Sequence, residues 1–214
     1  MHPVDCPEWE YKDHPNYQRD LHPRAVALLR DLRTRQIDLA FASDTRRVHE
    51  RLFETLTPQE QPYYAGHYRG EDYRCLRYYL VEVPGDPRVG AAPGIVLPRM
   101  RVLGTIITSG VEAMVQVRQV PNAVLPEEEK LKYAVILACR VFEEFLRIHP
   151  YANGNGHAAR FLVCAIIGLY GYWPNQTAWP IDPRPPNPPY IQLIQEYRNG
   201  NVEPLEMHVL SCYL

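Results

Sequence analysis

His149-Pro150-Tyr151-Ala152-Asn153-Gly154-Asn155-Gly156-His157-Ala158-Ala159-Arg160 is a polar, glycine-bearing loop set between two apolar segments. Pro150 disfavours helical geometry at the residue before it, so the upstream helix ends at His149. A helix C-terminus is electronegative and makes an imidazole there more basic, so His149 is a candidate general base. Gly154 and Gly156 suit positive φ and can turn consecutive N–H groups inward as an anion nest. The following helix adds the partial positive charge of its N-terminus. Arg160 falls in that helix's first turn, where a cation is locally unfavourable; such a broken rule anticipates an anionic ligand. Asn153 and Asn155 add oxygens and amides suited to phosphate or a hard cation. Singly, these residues read as a helix stop, a turn and a surface arginine. Together, between two buried helices, they read as phosphate chemistry. A metal site built on His149 and His157 is not indicated, because the loop holds no cysteine or carboxylate.

Working outward, the upstream segment predicts a largely buried helix. Pro126 starts it and Glu127, Glu128 and Glu129 complement its dipole. Ala134, Leu137, Val141, Phe145 and Ile148 form one stripe, which Ile136, Cys139, Phe142 and Leu146 broaden. Glu143 and Arg147 make an i,i+4 pair on the remaining face. Downstream, a second apolar helix runs from about His157 to Gly171, with Pro174 beyond. A further helix over about 190–198 and a short one near the C-terminus follow. Nearer the start, residues 1–22 read as irregular. A helix is expected from Pro23 to about Leu39, and a second after Ser43 or Asp44 that presents Val48, Leu52, Phe53 and Leu56 and stops at Pro58. Tyr78–Val83 is β-prone and Pro84-Gly85-Asp86 is a turn, so a β-hairpin flap is expected near 76–97. Met100–Arg118 is ambiguous, its β-branched residues favouring strand and its length favouring helix. The fold class is therefore all-α with one hairpin, in a single domain over 23–214.

Composition bounds the rest. The chain has 214 residues and a formal net charge of -2, so no basic field draws it to nucleic acid or an anionic membrane. The apolar run Phe161–Tyr170 is too short to span a bilayer, and the polar start does not read as a signal peptide. The expected location is cytoplasmic; a specialised export signal would leave no mark here, so export as an effector stays open. The five cysteines are widely spaced, with no CxxC pair. Cys139 and Cys164 read as buried thiols, which fits a reducing compartment. The prolines from Pro180 to Pro189 read as a stiff surface connector.

The loop resembles the signature of the Fic (Fic/Doc) family, His-x-Phe-x-Asp/Glu-Gly-Asn-Gly-Arg-x-x-Arg, at His149, Tyr151, Asn153, Gly154, Asn155, Gly156, His157 and Arg160. Gly66-His67-Tyr68-Arg69 resembles the stretch ahead of that family's flap, and Tyr197-Arg198-Asn199-Gly200-Asn201 its downstream helix region. The resemblance implies a Fic-like helical bundle and transfer of AMP from ATP to a Ser, Thr or Tyr hydroxyl of a target protein. By position, His149 would take the hydroxyl proton. Gly154, Asn155 and Gly156 would hold the α- and β-phosphates, and Arg160 would neutralise pyrophosphate. The target would pair with the flap near 76–97, and a separate inhibitory, antitoxin-like protein is a further partner the resemblance allows. Two positions depart from the pattern. Asn153 stands where the family has an acidic Mg²⁺ ligand, and a neutral amide binds Mg²⁺ more weakly. His157 replaces the first Arg, shortening the reach to a γ-phosphate. These departures keep two alternatives open: another donor (UTP, GTP or a phosphocholine carrier), or a non-catalytic Fic domain that binds nucleotide or a partner. In the helix after Ser43 no Ser/Thr-x-x-x-Glu is in register (Ser43 leads to Arg47, Thr45 to His49), so built-in inhibition by a glutamate of that helix is not expected.

Overall fold

The structure, a computed structural model, describes residues 6–83, 86–175, 177–185 and 190–214. Eight α-helices follow in order: α1 (Tyr17–Arg33), α2 (Leu39–Ser43), α3 (Thr45–Phe53), α4 (Pro93–Gln119), α5 (Glu127–Ile148), α6 (Asn155–Gly168), α7 (Tyr190–Arg198) and α8 (Glu203–Ser211). Short 3₁₀ turns occupy Tyr11–Asp13 and Pro62–Tyr64. The fold is all-helical, and no strand forms among the described residues.

At the centre lies α6. Nearly every residue from Ala158 to Ile167 is fully buried, as expected of a helix that is apolar all round. It packs against α5 on one side and α1, α2 and α3 on the other. The broad apolar stripe of α5 lets it touch α6, α4, α7 and α8 as well. The ambiguous segment is a helix, α4, and it starts earlier than expected because Pro93 sits at its first turn. Among the described helices it alone is long and apolar enough to cross a membrane, and one side of it packs on α5 through Met100, Leu103 and Ile107.

The expected hairpin flap is absent from the described residues, with 84 and 85 lying outside them. The reason is competition for backbone groups. The Gly90 and Ala91 N–H groups donate to the Arg147 and Ile148 carbonyls at the end of α5, at 3.0 and 3.1 Å. The Tyr79 and Ala91 carbonyls are taken by the Arg69 guanidinium, each at 2.9 Å. Tyr79, Gly90 and Ala91, which would pair across the hairpin, are thereby withheld from a strand ladder. The first helix begins at Tyr17, not Pro23, and residues 9–13 are no loose tail: Trp9 and Tyr11 are buried. Trp9 stacks on Tyr64 and its Nε1–H donates to the Leu56 carbonyl at 2.9 Å.

Cysteine usage is mixed. Cys139, Cys164 and Cys212 are buried free thiols, while Cys6 and Cys75 form a disulfide that fastens the N-terminal segment. The latter departs from the reducing reading, which widely spaced cysteines gave no way to correct.

Candidate active site

Helix α5 ends where the sequence said it would. His149 is its C-cap, in the left-handed region at φ 52° and ψ 62°. A residue with a Cβ is rarely found there, and here the turn is held by one side chain. The buried Arg69 guanidinium donates to the carbonyls of His149 (2.8 Å), Ile148 (3.1 Å), Tyr79 and Ala91. Its own N–H donates to the Pro150 carbonyl at 2.8 Å. Sequence analysis placed Arg69 in a family stretch but gave it no role; four carbonyls gathered from three chain segments leave no local signal.

The imidazole of His149 donates through Nδ1 to the Leu146 carbonyl at 3.2 Å. Because a carbonyl only accepts, Nδ1 carries the proton and Nε2 keeps its lone pair. The helix C-terminus does not win here. Burial pushes the imidazole down to about 4, and the Arg69 and Arg198 charges add to that; only the Leu146 bond opposes it. His149 is thus neutral at pH 7 and in its proton-accepting form.

The glycines divide their work. Gly154 is left-handed at φ 75°, and a Cβ there would lie 2.4 Å from the Phe53 ring and 2.9 Å from His49 Nε2. Gly156 sits in the first turn of α6 and has no positive φ, contrary to expectation. The N–H groups of Asn155 and Gly156 have no hydrogen-bond partner among the described residues. They leave the N-terminal end of α6 with free donors and partial positive charge, features suited to an anion. The Gly154→Ala variant should lose several kcal/mol of stability: about 1–2 kcal/mol from a left-handed Cβ and about 1–3 kcal/mol from overpacking on α3. A urea unfolding midpoint close to wild type would contradict this packing.

The two asparagines serve the loop itself. Asn155 accepts from the Tyr151 N–H (2.9 Å) and donates to the Tyr151 carbonyl (3.0 Å), so its backbone, not its side chain, faces a ligand. Asn153 is bonded at both ends of its carboxamide. Its Oδ1 accepts from the Gly154 N–H at 2.7 Å, and its Nδ2 donates to the Trp9 carbonyl at 2.9 Å and to Glu10 at 3.3 Å. Among the described residues no group of three His, Cys, Asp or Glu side chains could hold a metal. Asn153 Oδ1 keeps one lone pair, so it offers Mg²⁺ at most a single neutral contact.

His157 donates from Nε2 to Asp182 at 3.1 Å, and burial holds it down at about 4 despite that partner. Arg160 is buried, with Nε and Nη2 donating to the Pro180 and Ile181 carbonyls. Its Nη1 remains beside Gly156, 3.1 Å from where a Cβ would stand. Among the described residues no glutamate is bonded to His157 or Arg160, and the carboxylate of Asp182 bonds to His157.

A second buried histidine was overlooked by sequence. His49 lies flat on Tyr151, with ring centroids 3.7 Å apart. It donates from Nε2 to the Asn153 carbonyl at 2.9 Å and accepts at Nδ1 from the Gly66 N–H at 3.1 Å. Burial lowers it to about 3. The Tyr151 hydroxyl meets Thr45 at 2.7 Å. Thus α3 fastens the loop from below, while the N-terminal segment fastens it from above. A cleft of 680 Å³ opens over Ala152 and Asn153, between Glu8 and Glu10 on one wall and Leu80–Glu82 on the other.

Three histidines held neutral make acid a denaturant. Each is depressed in the fold relative to about 6.5 when unfolded, so the unfolded state binds protons first. Stability is full above pH 6.5 and falls as pH drops toward 4, by about 1.4 kcal/mol per histidine per pH unit. Thermal unfolding followed from pH 8 to pH 4 should show a steep fall beginning near pH 6; a flat profile to pH 4.5 would contradict the burial of these rings.

No curated protein matches the chain. Among solved structures, it is similar to the BepC protein, a VirB-translocated effector of Bartonella tribocorum solved with bound AMPPNP. The TM-score is 0.60 at 18% identity, over 92% of this chain and 84% of that one, a likeness of fold. The sequence pattern of the Fic/DOC family matches residues 37–167, more than half of the chain and the whole of the loop from His149 to Arg160. The chain therefore belongs to the Fic/DOC family.

Proposed function

We propose that the protein is a nucleotidyltransferase that moves AMP from ATP to a Ser, Thr or Tyr hydroxyl of a target protein. The observation that carries this reading is the pairing of an unprotonated His149 Nε2 with the partnerless Asn155 and Gly156 N–H groups across one short loop. The target hydroxyl oxygen attacks the α-phosphorus while its proton passes to His149 Nε2. The bond from the α-phosphorus to the bridging oxygen breaks, and pyrophosphate leaves. Donation from the α6 amides stabilises the charge that develops on the phosphate oxygens. The nucleotide bound in BepC supports ATP as the donor class. The residue at the family's metal position, Asn153, is neutral, and no step here is routed through Mg²⁺.

The target segment aligns along Leu80–Glu82. These residues leave their backbone N–H groups without partners among the described residues, which supports strand-like pairing there even without a folded hairpin.

A second reading has its own observation. The side chains of Asn153, His157 and most of Arg160 are bound within the protein. A Fic domain that binds a nucleotide or partner without catalysis would look like this. The two readings part on one experiment: purified protein, cell lysate, and a panel of donors labelled at the α- or γ-phosphate. Transfer of α-label but not γ-label from ATP is expected. Transfer only from UTP or GTP would change the donor, and tight binding with no transfer from any donor would favour the second reading.

A further inference from the structure

Outside the loop, the molecule holds one more set of chemistry-bearing side chains in working register. In the turn-rich segment after Tyr64, His67 Nδ1 lies 2.7 Å from Glu71 Oε2, and His67 Nε2 lies 3.1 Å from the Tyr73 hydroxyl. An ionised carboxylate only accepts, so in the neutral ring the proton sits on Nδ1. That leaves Nε2 to accept from the tyrosine O–H. Carboxylate, imidazole and hydroxyl stand in the order that activates a nucleophile, the third group orienting the base.

The chain is held from both ends. Arg46 stands 3.8 Å from the other Glu71 oxygen, which has no hydrogen bond of its own. Tyr63 stacks on the Tyr73 ring, centroids 4.9 Å apart and planes within 15°. All three members are partly exposed. Neither the phosphate-binding loop nor α5 uses these groups.

We propose that Tyr73 is an activated hydroxyl nucleophile and a covalent modification site for phosphoryl-type electrophiles. In the step, a bond forms from the Tyr73 oxygen to phosphorus and the bond from phosphorus to the leaving group breaks. The phenol proton passes to His67 Nε2, and Glu71 stabilises the imidazolium. General-base help of this kind typically gives ~10²–10⁴-fold. The site is independent of His149, so it stands or falls apart from the nucleotidyl-transfer reading.

The protein supplies its own controls. Tyr78 and Tyr133 are 57% and 48% exposed, more open than Tyr73, and among the described residues no imidazole is bonded to either hydroxyl. The intact protein is treated with a fluorophosphonate at neutral pH and labelling is mapped by peptide mass spectrometry; here fluoride is the leaving group. Tyr73 should label at least tenfold faster than Tyr78 and Tyr133. His67→Gln should erase that advantage, Glu71→Gln should reduce it several-fold, and His149→Ala should leave it unchanged. Equal or slower labelling at Tyr73 in the unaltered protein would overturn the proposal, as would an unchanged Tyr73 rate in His67→Gln.

Discussion

Replacing Arg69 by Met should cost about 3–5 kcal/mol, the range for breaking a buried charged network. For a domain with a total stability of about 5–15 kcal/mol, that is a large share. The reasoning starts from the carbonyls. The guanidinium is fully buried and meets no carboxylate among the described residues; its neutralising company is the four carbonyl oxygens of His149, Ile148, Tyr79 and Ala91. Burial lowers its pKa to about 10, which leaves it charged at pH 7. Methionine fills a similar volume but removes the guanidinium donor from those oxygens, of which Ile148 keeps the Ala91 N–H; each oxygen left unsatisfied where water cannot reach it costs about 1–3 kcal/mol. The same loss frees the left-handed turn at His149. Transfer should therefore fall even at temperatures where the variant stays folded. Urea unfolding checks the first effect; a midpoint within a few tenths molar of wild type would mean the carbonyls are satisfied some other way.

Opening the Cys6–Cys75 bond should have an effect of similar size. The bond closes a ring across 69 positions of sequence, for which the chain-entropy account gives about 4 kcal/mol. What it fastens is the segment whose Trp9 carbonyl and Glu10 carboxylate hold Asn153. Trp9 and Tyr11 are core residues, so the segment stays docked when the bond opens, and the loss is one of stability rather than of shape. Cys6→Ser should lower the melting temperature by several degrees in oxidising buffer and leave it insensitive to dithiothreitol, while wild type drops to match it on reduction. A wild-type melting temperature indifferent to reductant would show that the bond does not form in solution. This also bears on where the protein works, since a reducing cytoplasm would remove that stabilisation.

Local signals carried much of the fold. The long stripe of α5, its three opening glutamates and Pro126 made one reading, and the structure follows it to Ile148. Pro150 placed the helix end correctly. The failures have tertiary causes. The β-prone run Tyr78–Val83 had the composition of a strand, but its neighbours' backbone groups are spent on Arg69 and the end of α5. Met100–Arg118 mixed β-branched residues with Gly104 and Gly110, and packing on α5 decided for helix.

The site was legible as a place and less so as a mechanism. His149, Gly154 and the amides of Asn155 and Gly156 lie together as one loop, which a contiguous motif guarantees. The expected basic shift of His149 is reversed because burial outweighs the helix terminus, and the charge of Arg69, eighty residues away in sequence, adds to it. Asp182, His49 and the N-terminal segment reach the loop from distant positions that no spacing rule connects. Asn153 reads as a departure in a binding motif; in the fold its carboxamide is the fastening point of another segment.

The central claim is that His149 takes the proton of an attacking hydroxyl at this loop. It is tested most directly by the rate of α-labelled nucleotide transfer in wild type and in His149→Ala, at equal folded protein and saturating donor. Loss of the base should lower the rate by ~10²–10⁴-fold while donor binding to the α6 amides persists. Transfer that continues in His149→Ala at the wild-type rate would contradict the account.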